Sequence, residues 1–279
     1  MSYPTKLYYK YRPLYSDRRH KTPHEFTKSI IKSSELYYAT PNTFNDPFDC
    51  NLKLHTDDST DKEWIDYIDS MIVQYPQNKK KLVTVKRKKS WGRVGAIGEN
   101  TAKSIYEDSS VLCLSKRPDS IPMFSYYADD HYGIAIELQF SDIEVPCGIP
   151  YGDLSDPSNL YERTIIFRDV EYPLTIPELN YHRLYGSEKL LTNLIFSKFK
   201  EWNHEDEFRI FRRNMAESSV KFPQKMLTRI IFGSRTGQDE IDLVKTWLSA
   251  RTNPVILAKI EPSKKDFSLN IVDFENYTP

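Results

Sequence analysis

The chain has 279 residues, and 39 Lys and Arg balance 39 Asp and Glu to a formal net charge of +0. That balance gives no overall electrostatic case for nucleic acid or a membrane surface, and 19 Tyr, 14 Phe and 4 Trp supply enough apolar surface to exclude global disorder. Cys50, Cys113 and Cys147 are odd in number, far apart and without zinc spacing, and no stretch approaches a membrane span or a signal core, so the expectation is a soluble cytoplasmic protein with reduced thiols and no membrane association.

In chain order, residues 7–11 (LYYKY) read as a short aromatic strand. Thr22-Pro23-His24-Glu25 has the chemistry of a helix start: Thr22 can cap, Pro23 suits the first turn and Glu25 closes a capping box. Phe26, Ile30 and Ile31 give that helix one apolar face. Residues 36–40 (LYYAT) are a strand, so the chain opens strand, helix, strand. Residues 41–50 (PNTFNDPFDC) form an irregular loop, in which Asn45-Asp46-Pro47 is turn chemistry. Phe44 and Phe48 are expected to anchor it and to hold Asn45, Asp46 and Asp49 in place for a ligand; a well-packed turn is the plainer alternative.

Residues 59–75 form an acidic helix with a Thr60–Glu63 capping box and a core stripe of Trp64, Ile65, Ile68, Met71, Ile72 and Tyr75. Residues 78–89 (NKKKLVTVKRKK) carry a dense basic run anchored by Leu82 and Val85. Such runs are ordinarily solvated helix faces, and a nucleic-acid contact is the functional alternative, because phosphate binding needs only local positive charge. Gly92, Gly95 and Gly98 would allow close helix packing. Residues 59–109 thus read as a helical insertion on a strand scaffold.

Residues 111–115 (VLCLS) are a buried strand ending at Ser115, and 123–127 (MFSYY) a helical turn ending at Tyr127. Residues 132–140 are a strand with Ile134, Ile136 and Leu138 on one face and Glu137 on the other. Residues 146–157 read as loop and 164–172 as strand. A helix over 187–200 places Leu190, Leu191, Leu194, Ile195 and Phe199 at core spacing. A strand at 227–233, a helix at 238–250 and strands at 255–261 and 267–272 close the chain. The fold class is α+β: a single domain over 1–279 with a central mixed or antiparallel sheet, flanking helices and the helical insertion.

The most informative stretch is 197–212, SKFKEWNHEDEFRIFR. On a strand Phe208 and Ile210 point one way, and Glu205, Glu207 and Arg209 the other. Two carboxylates held close on one face raise at least one carboxylate pKa unless a cation offsets them, and Arg209 and Lys198 are the candidate cations. A solvent-facing strand is the plain alternative. A pocket that brings Asn45, Ser115 and Glu207 together, and a cleft bordered by both the 44–49 loop and the 205–209 strand, are expected.

Leu7–Arg12, the FNDPFD of 44–49, VLCLS, MFSYYADDHYGIAIEL of 123–138 and KFKEWNHEDEFRI of 198–210 together resemble the bacterial family catalogued as domain of unknown function 2971. The motifs are scattered over nearly the whole chain and skip 59–109. The resemblance implies a bacterial protein of a kind sometimes found near phage-defence or mobile-element genes, a defence or toxin effector.

The order of the early strand–helix–strand and the late Glu205-x-Glu207 strand is also similar to NAD-dependent ADP-ribosyltransferases. That likeness implies Glu207 or Glu205 as the carboxylate that stabilises an oxocarbenium-like ribose, with NAD as the bound substrate. It implies Lys10 or Arg12 as the first-strand group on the diphosphate or ribose, where that superfamily usually has His or Arg, and Tyr38, Phe48 or Tyr127 as the stacking face. The alternatives are a non-enzymatic module that recognises a small ligand or phage component through Asn45, Asp46, Trp202 and Glu207, and a Mg²⁺-dependent nuclease using Asp46, Asp49, Glu137, Glu205 and Glu207 with Lys198 near a phosphate.

Overall fold

The structure is a computed structural model that describes residues 4–91, 103, 106–141, 144–146, 165–184, 189–213, 215 and 218–279. Gly92, Gly95, Gly98, Cys147, Thr164, Ser187 and most of the 146–157 loop lie outside the described residues. The fold is α+β. The chain packs as two compact units, the first formed by Met1–Ala39, Ser110–Val170 and Glu201–Pro279, the second by Thr40–Ser109 and Glu171–Lys200.

The first unit holds the strands. They are β1 (Lys6–Arg12), β2 (Tyr15–Asp17), β3 (Thr22–Pro23), β4 (Glu35–Tyr38), β5 (Ser110–Ser115), β6 (Ile134–Phe140), β7 (Ile165–Asp169), β8 (Glu207–Arg212), β9 (Ser218–Lys221), β10 (Leu227–Phe232), β11 (Val255–Pro262) and β12 (Leu269–Tyr277). Among the described residues eight of them form one sheet in the order β12-β11-β10-β6-β1-β5-β8-β7. Its pairs are antiparallel except β10 with β11. The pairs β2–β3 and β4–β9 are separate two-stranded pieces.

The sheet is covered on both faces, so its inner strands β5, β6, β8 and β10 are buried on both sides rather than alternating core with solvent, whereas the edge strands β7 and β12 have no buried residue. Tyr8, Leu112, Leu114, Ile134, Ile136, Leu138, Phe208, Ile210 and Ile230 face the main core with Ile30, Ile31 and the apolar side of the helix Gln238–Leu248. Tyr9, Tyr11, Ala135, Ile231, Ala258 and Ile260 face a second core with Met123 and Phe124 of the helix Ile121–Tyr127.

Several elements differ from the sequence expectation for identifiable reasons. Thr22 does not cap a helix: Thr22-Pro23 is extended and pairs with β2, so the helix begins at Glu25 with His24 at its N-cap and no side-chain cap bond. The helix widens into a π-turn over Ser29–Ser33 and ends at Ser34 in the left-handed conformation. Phe26 leaves the apolar face and stacks on Tyr37 instead, with ring centroids 4.2 Å apart. The last strand starts at Leu269 and runs to Tyr277, because its pairing with β11 continues that far, whereas Phe267 is fully exposed.

Two glycines let the sheet ends close. A Cβ on Gly233 would lie 2.1 Å from the His131 carbonyl oxygen, and one on Gly133 2.4 Å from the Arg12 carbonyl oxygen. Gly233 N donates to Gly133 O at 2.9 Å, which ties the two together. The loop they confine turns left-handed at Asp129, Asp130 and His131, three successive residues with positive φ.

In the second unit Thr60 and Glu63 form the expected capping box at the start of Asp61–Gln74. Trp64, Tyr67 and Ile68 are its buried stripe, with Trp64 stacked on Trp91 at 5.5 Å and meeting His182 at 4.0 Å. The basic helix spans Lys79–Lys88 and buries Leu82 and Val85. The helix expected to reach residue 200 covers Lys189–Ile195, because Ser197 and Lys198 bridge to Glu171 as extended chain. That break takes Phe199 out of core register and leaves it 48% exposed.

Because its neighbour is backbone, Gly233→Ala should lower stability by roughly 3 kcal/mol or more. Urea unfolding with the parent's midpoint would show that the turn can give way.

Candidate functional site

The sheet aligns one polar residue from each of several neighbouring strands. Tyr9 of β1 is opposite Ser115 of β5, and Ser115 is opposite Glu207 of β8. On the other side Tyr9 is opposite Glu137 of β6, and Glu137 opposite Arg229 of β10. Directly opposed residues share a face, so Glu207, Ser115, Tyr9, Glu137 and Arg229 form a row across the sheet. It lies on the face that carries Tyr11 and Ala135.

Glu207 and Arg209 sit two residues apart on β8 and on the same face. Arg209 Nε and Nη2 donate to Glu207 Oε1 and Oε2, both at 2.9 Å, a bidentate pair with both side chains buried. The charged face of β8 is therefore internal. The alternation was correctly readable, but every residue of β8 is buried, so the plain expectation of a solvent-facing strand is corrected.

Glu205 precedes the strand, in the 3₁₀ turn Lys200–Glu205. It is buried, and Tyr127 Oη donates to its Oε1 at 2.6 Å. Ser115 Oγ donates to the Glu205 carbonyl at 2.6 Å and accepts from Arg117 N at 3.1 Å. Ser115 thus pins the turn that carries Glu205 onto the end of β5. Trp202 lies in the same turn, its ring 5.9 Å from that of His204.

Tyr9 is the member of the row that the sequence reading missed. Its hydroxyl donates to Glu137 Oε2 at 3.0 Å, Thr228 Oγ1 donates to Glu137 Oε1 at 2.8 Å, and Arg229 Nη1 lies 3.6 Å from Glu137 Oε2. The available signal was strand parity: if Glu207 and Tyr9 share a face, Lys10 and Arg12 alternate to the other. Lys10 Nζ donates to the Cys113 carbonyl at 2.9 Å, next to the single β1–β5 register pair Tyr9↔Ser115. Burial pushes its ammonium pKa down, with Glu207 and Glu205 acting in the opposite sense. Arg12 is held by Thr27 and His24.

Tyr38 is wholly buried in the main core, its hydroxyl on the Pro146 carbonyl at 2.5 Å and its ring under Arg212 at 4.9 Å. Tyr127 is left as the aromatic beside Glu205. Asn45, Asp46, Phe48 and Lys198 belong to the second unit. There Asp46 Oδ1 accepts from Phe48 N at 2.9 Å, closing the turn, and Lys198 Nζ lies 3.3 Å from Asp49 Oδ2 with both side chains buried. Phe48 is 61% exposed and does not anchor its loop; the Asp46 turn does that locally. In the basic helix Lys86 pairs with Asp69 and Lys89 with Asp61, which leaves Lys79, Lys80, Lys81, Arg87 and Lys88 exposed.

Among the described residues no group of three or more His, Cys, Asp or Glu is placed to hold a metal ion, and no helix is long and apolar enough to cross a membrane. Comparison with family models, curated proteins and solved structures returns no match.

Arg209→Met should destabilise the chain by about 3–5 kcal/mol, because it strands a buried carboxylate; urea unfolding that matches the parent would contradict the burial of the pair. The row also sets a pH limit. Burial first, and Glu137 second, raise the Tyr9 hydroxyl above the ordinary value of 10.0, and burial does the same for Tyr11. A phenol that ionises less readily folded than unfolded contributes stability below the unfolded pKa and loses it as pH rises through the folded one. Stability should therefore fall above about pH 10, and more gently in Tyr9→Phe. Parallel slopes for the two proteins would remove Tyr9 from that account.

Proposed function

We propose that the chain is an NAD-dependent ADP-ribosyltransferase-like enzyme of the family resembling domain of unknown function 2971, with its reacting end on the Glu207–Ser115–Tyr9 row. The observation that carries the reading is the register: three consecutive strands place a carboxylate, a hydroxyl and a phenol opposite one another on one face. Glu207 is the electrostatic group. Arg209 keeps it ionised in a buried setting, so a fixed negative charge awaits the cation that develops at the ribose C1′.

In the reaction the bond between C1′ and the nicotinamide nitrogen breaks. Nicotinamide leaves with the electron pair as a neutral base. An acceptor nucleophile forms the new bond to C1′, and its proton passes to Glu205, which Tyr127 orients. Tyr127 also offers the ring beside the nicotinamide. A second reading, saturable binding without turnover, is favoured by one fact: both oxygens of Glu207 already have a guanidinium partner.

The test is release of nicotinamide from NAD, followed chromatographically. The parent should release it, and Glu207→Gln should be slower by roughly 10²-fold or more at a temperature where circular dichroism shows both proteins folded. NAD binding by the parent with no release would favour the recognition reading. Equal rates in parent and variant would remove Glu207 from the chemistry and make Glu205→Gln the next variant.

A further inference from the structure

The basic helix Lys79–Lys88 sorts its cations by face. Leu82 and Val85 are buried and fix the rotation of the helix. Lys86 and Lys89, on that same side, pair with Asp69 and Asp61 of the helix Asp61–Gln74. Lys80, Lys81, Arg87 and Lys88 are exposed, and among the described residues none of the four has an ion-pair partner. They recur at i, i+1, i+7 and i+8, which places them together on the side turned away from Leu82 and Val85. Two rows of cations result, about 10 Å apart along the axis at 1.5 Å per residue. No Asp or Glu interrupts the run between Asn78 and Lys89. Thr84 is exposed between the rows, but its Oγ1 donates to the Lys80 carbonyl at 2.9 Å.

The chemistry of this face selects its occupant. The whole chain is electrically balanced, so the attraction is local to the helix. A helix that lies on an anionic membrane needs a free apolar side to enter the interface. Here Leu82 and Val85 are committed to the protein interior, and Val83 is the one apolar residue of the helix left exposed, at 46%. A protein partner would be held chiefly by aromatic or aliphatic anchors at the centre of the contact, and the face has none. A single nucleic-acid strand would be held by aromatic rings stacked on its bases, and the helix carries no aromatic residue. The regularly spaced phosphates of a duplex ask for cations alone.

We infer that the face of Lys80, Lys81, Arg87 and Lys88 docks on the phosphate backbone of duplex DNA without reading its sequence. Rows about 10 Å apart span about three phosphate steps of one strand, at roughly 3.4 Å per step. Sequence is read by polar side chains that reach the base edges. With the Thr84 proton committed to the Lys80 carbonyl, the face offers no donor besides its cations. The helix belongs to the second unit and the Glu207 row to the first, so the inference does not rest on the NAD reading.

The experiment is fluorescence anisotropy with two labelled 20-base-pair DNA duplexes of unrelated sequence, on the parent and two fourfold variants. One variant changes Lys80, Lys81, Arg87 and Lys88 to Gln. The control changes Lys32, Lys53, Lys264 and Lys265, which are exposed elsewhere, to Gln, so that both lose the same charge. The parent should bind both duplexes alike, and about 10²-fold more weakly at 200 mM than at 50 mM salt, as four phosphate contacts require. The helix variant should bind about tenfold or more weaker than the parent at 50 mM salt with a flatter salt dependence, and the control should bind like the parent. The helix variant should also melt at or above the parent, because Gln is a good helix former and Lys80 and Lys81 oppose the dipole of the first turn. No duplex binding by the parent at 50 mM salt would overturn the assignment. So would binding that survives in the helix variant or falls equally in the control, a strong preference between the two sequences, or tighter binding to a single strand or to phosphatidylserine vesicles. A lower melting point in the helix variant would make the cations structural and overturn it as well.

Discussion

The buried pair of Glu207 and Arg209 constrains the first unit more than any other contact. Removing a carboxylate and a guanidinium from water costs several kcal/mol each, and only close, well-aligned contact offsets it. Two parallel bonds at 2.9 Å supply that contact within a single strand. The pair also fixes register. A slip of one residue would turn both charges into the main core and put Phe208 and Ile210 on the polar row, so β8 has one admissible alignment against β5. β5 in turn meets β1 at Tyr9, and the polar row follows from that alignment.

Buried cations in this molecule are partnered in distinct ways. In the second unit Lys198 is set against Asp49 inside the protein. Arg251 is held by neutral oxygens from three parts of the chain and stitches the end of the helix Gln238–Leu248 to Ile31 and Gln224. Both arrangements are internally complete. Arg209 is matched by Glu207, yet in doing so fixes a carboxylate charge on a face lined with hydroxyls, which is the arrangement a cationic transition state would use.

Much of the scaffold was legible because it follows from local rules. The capping box of Thr60 and Glu63, the alternation of 134–140 and the amphipathic pattern of 238–248 each specify their element within a few residues. Of the residues the sequence singles out, Glu205, Ser115 and Tyr127 do converge. What escaped depends on contacts distant in sequence. Nothing near Glu207 announces that its face is covered, and nothing near Tyr9 announces Ser115 or Glu137 as neighbours. Charge drew attention to Lys10 and Arg12, when parity along β1 decides which residue joins Glu207. Thr22 illustrates the same limit, because its capping chemistry lost to a hairpin partner, Asp17, that a local window does not weigh. Short polar strands such as β9 carry too little pattern to be read at all.

The central claim is that the Glu207–Ser115–Tyr9 face receives the reacting end of NAD. A crystal structure with a non-hydrolysable NAD analogue tests it most directly. The account predicts the ribose C1′ over Glu207, within about 4 Å of a carboxylate oxygen, with the nicotinamide ring against Tyr127 and the Glu207–Arg209 pair intact. An analogue seated elsewhere, with that face still covered by protein, would contradict it.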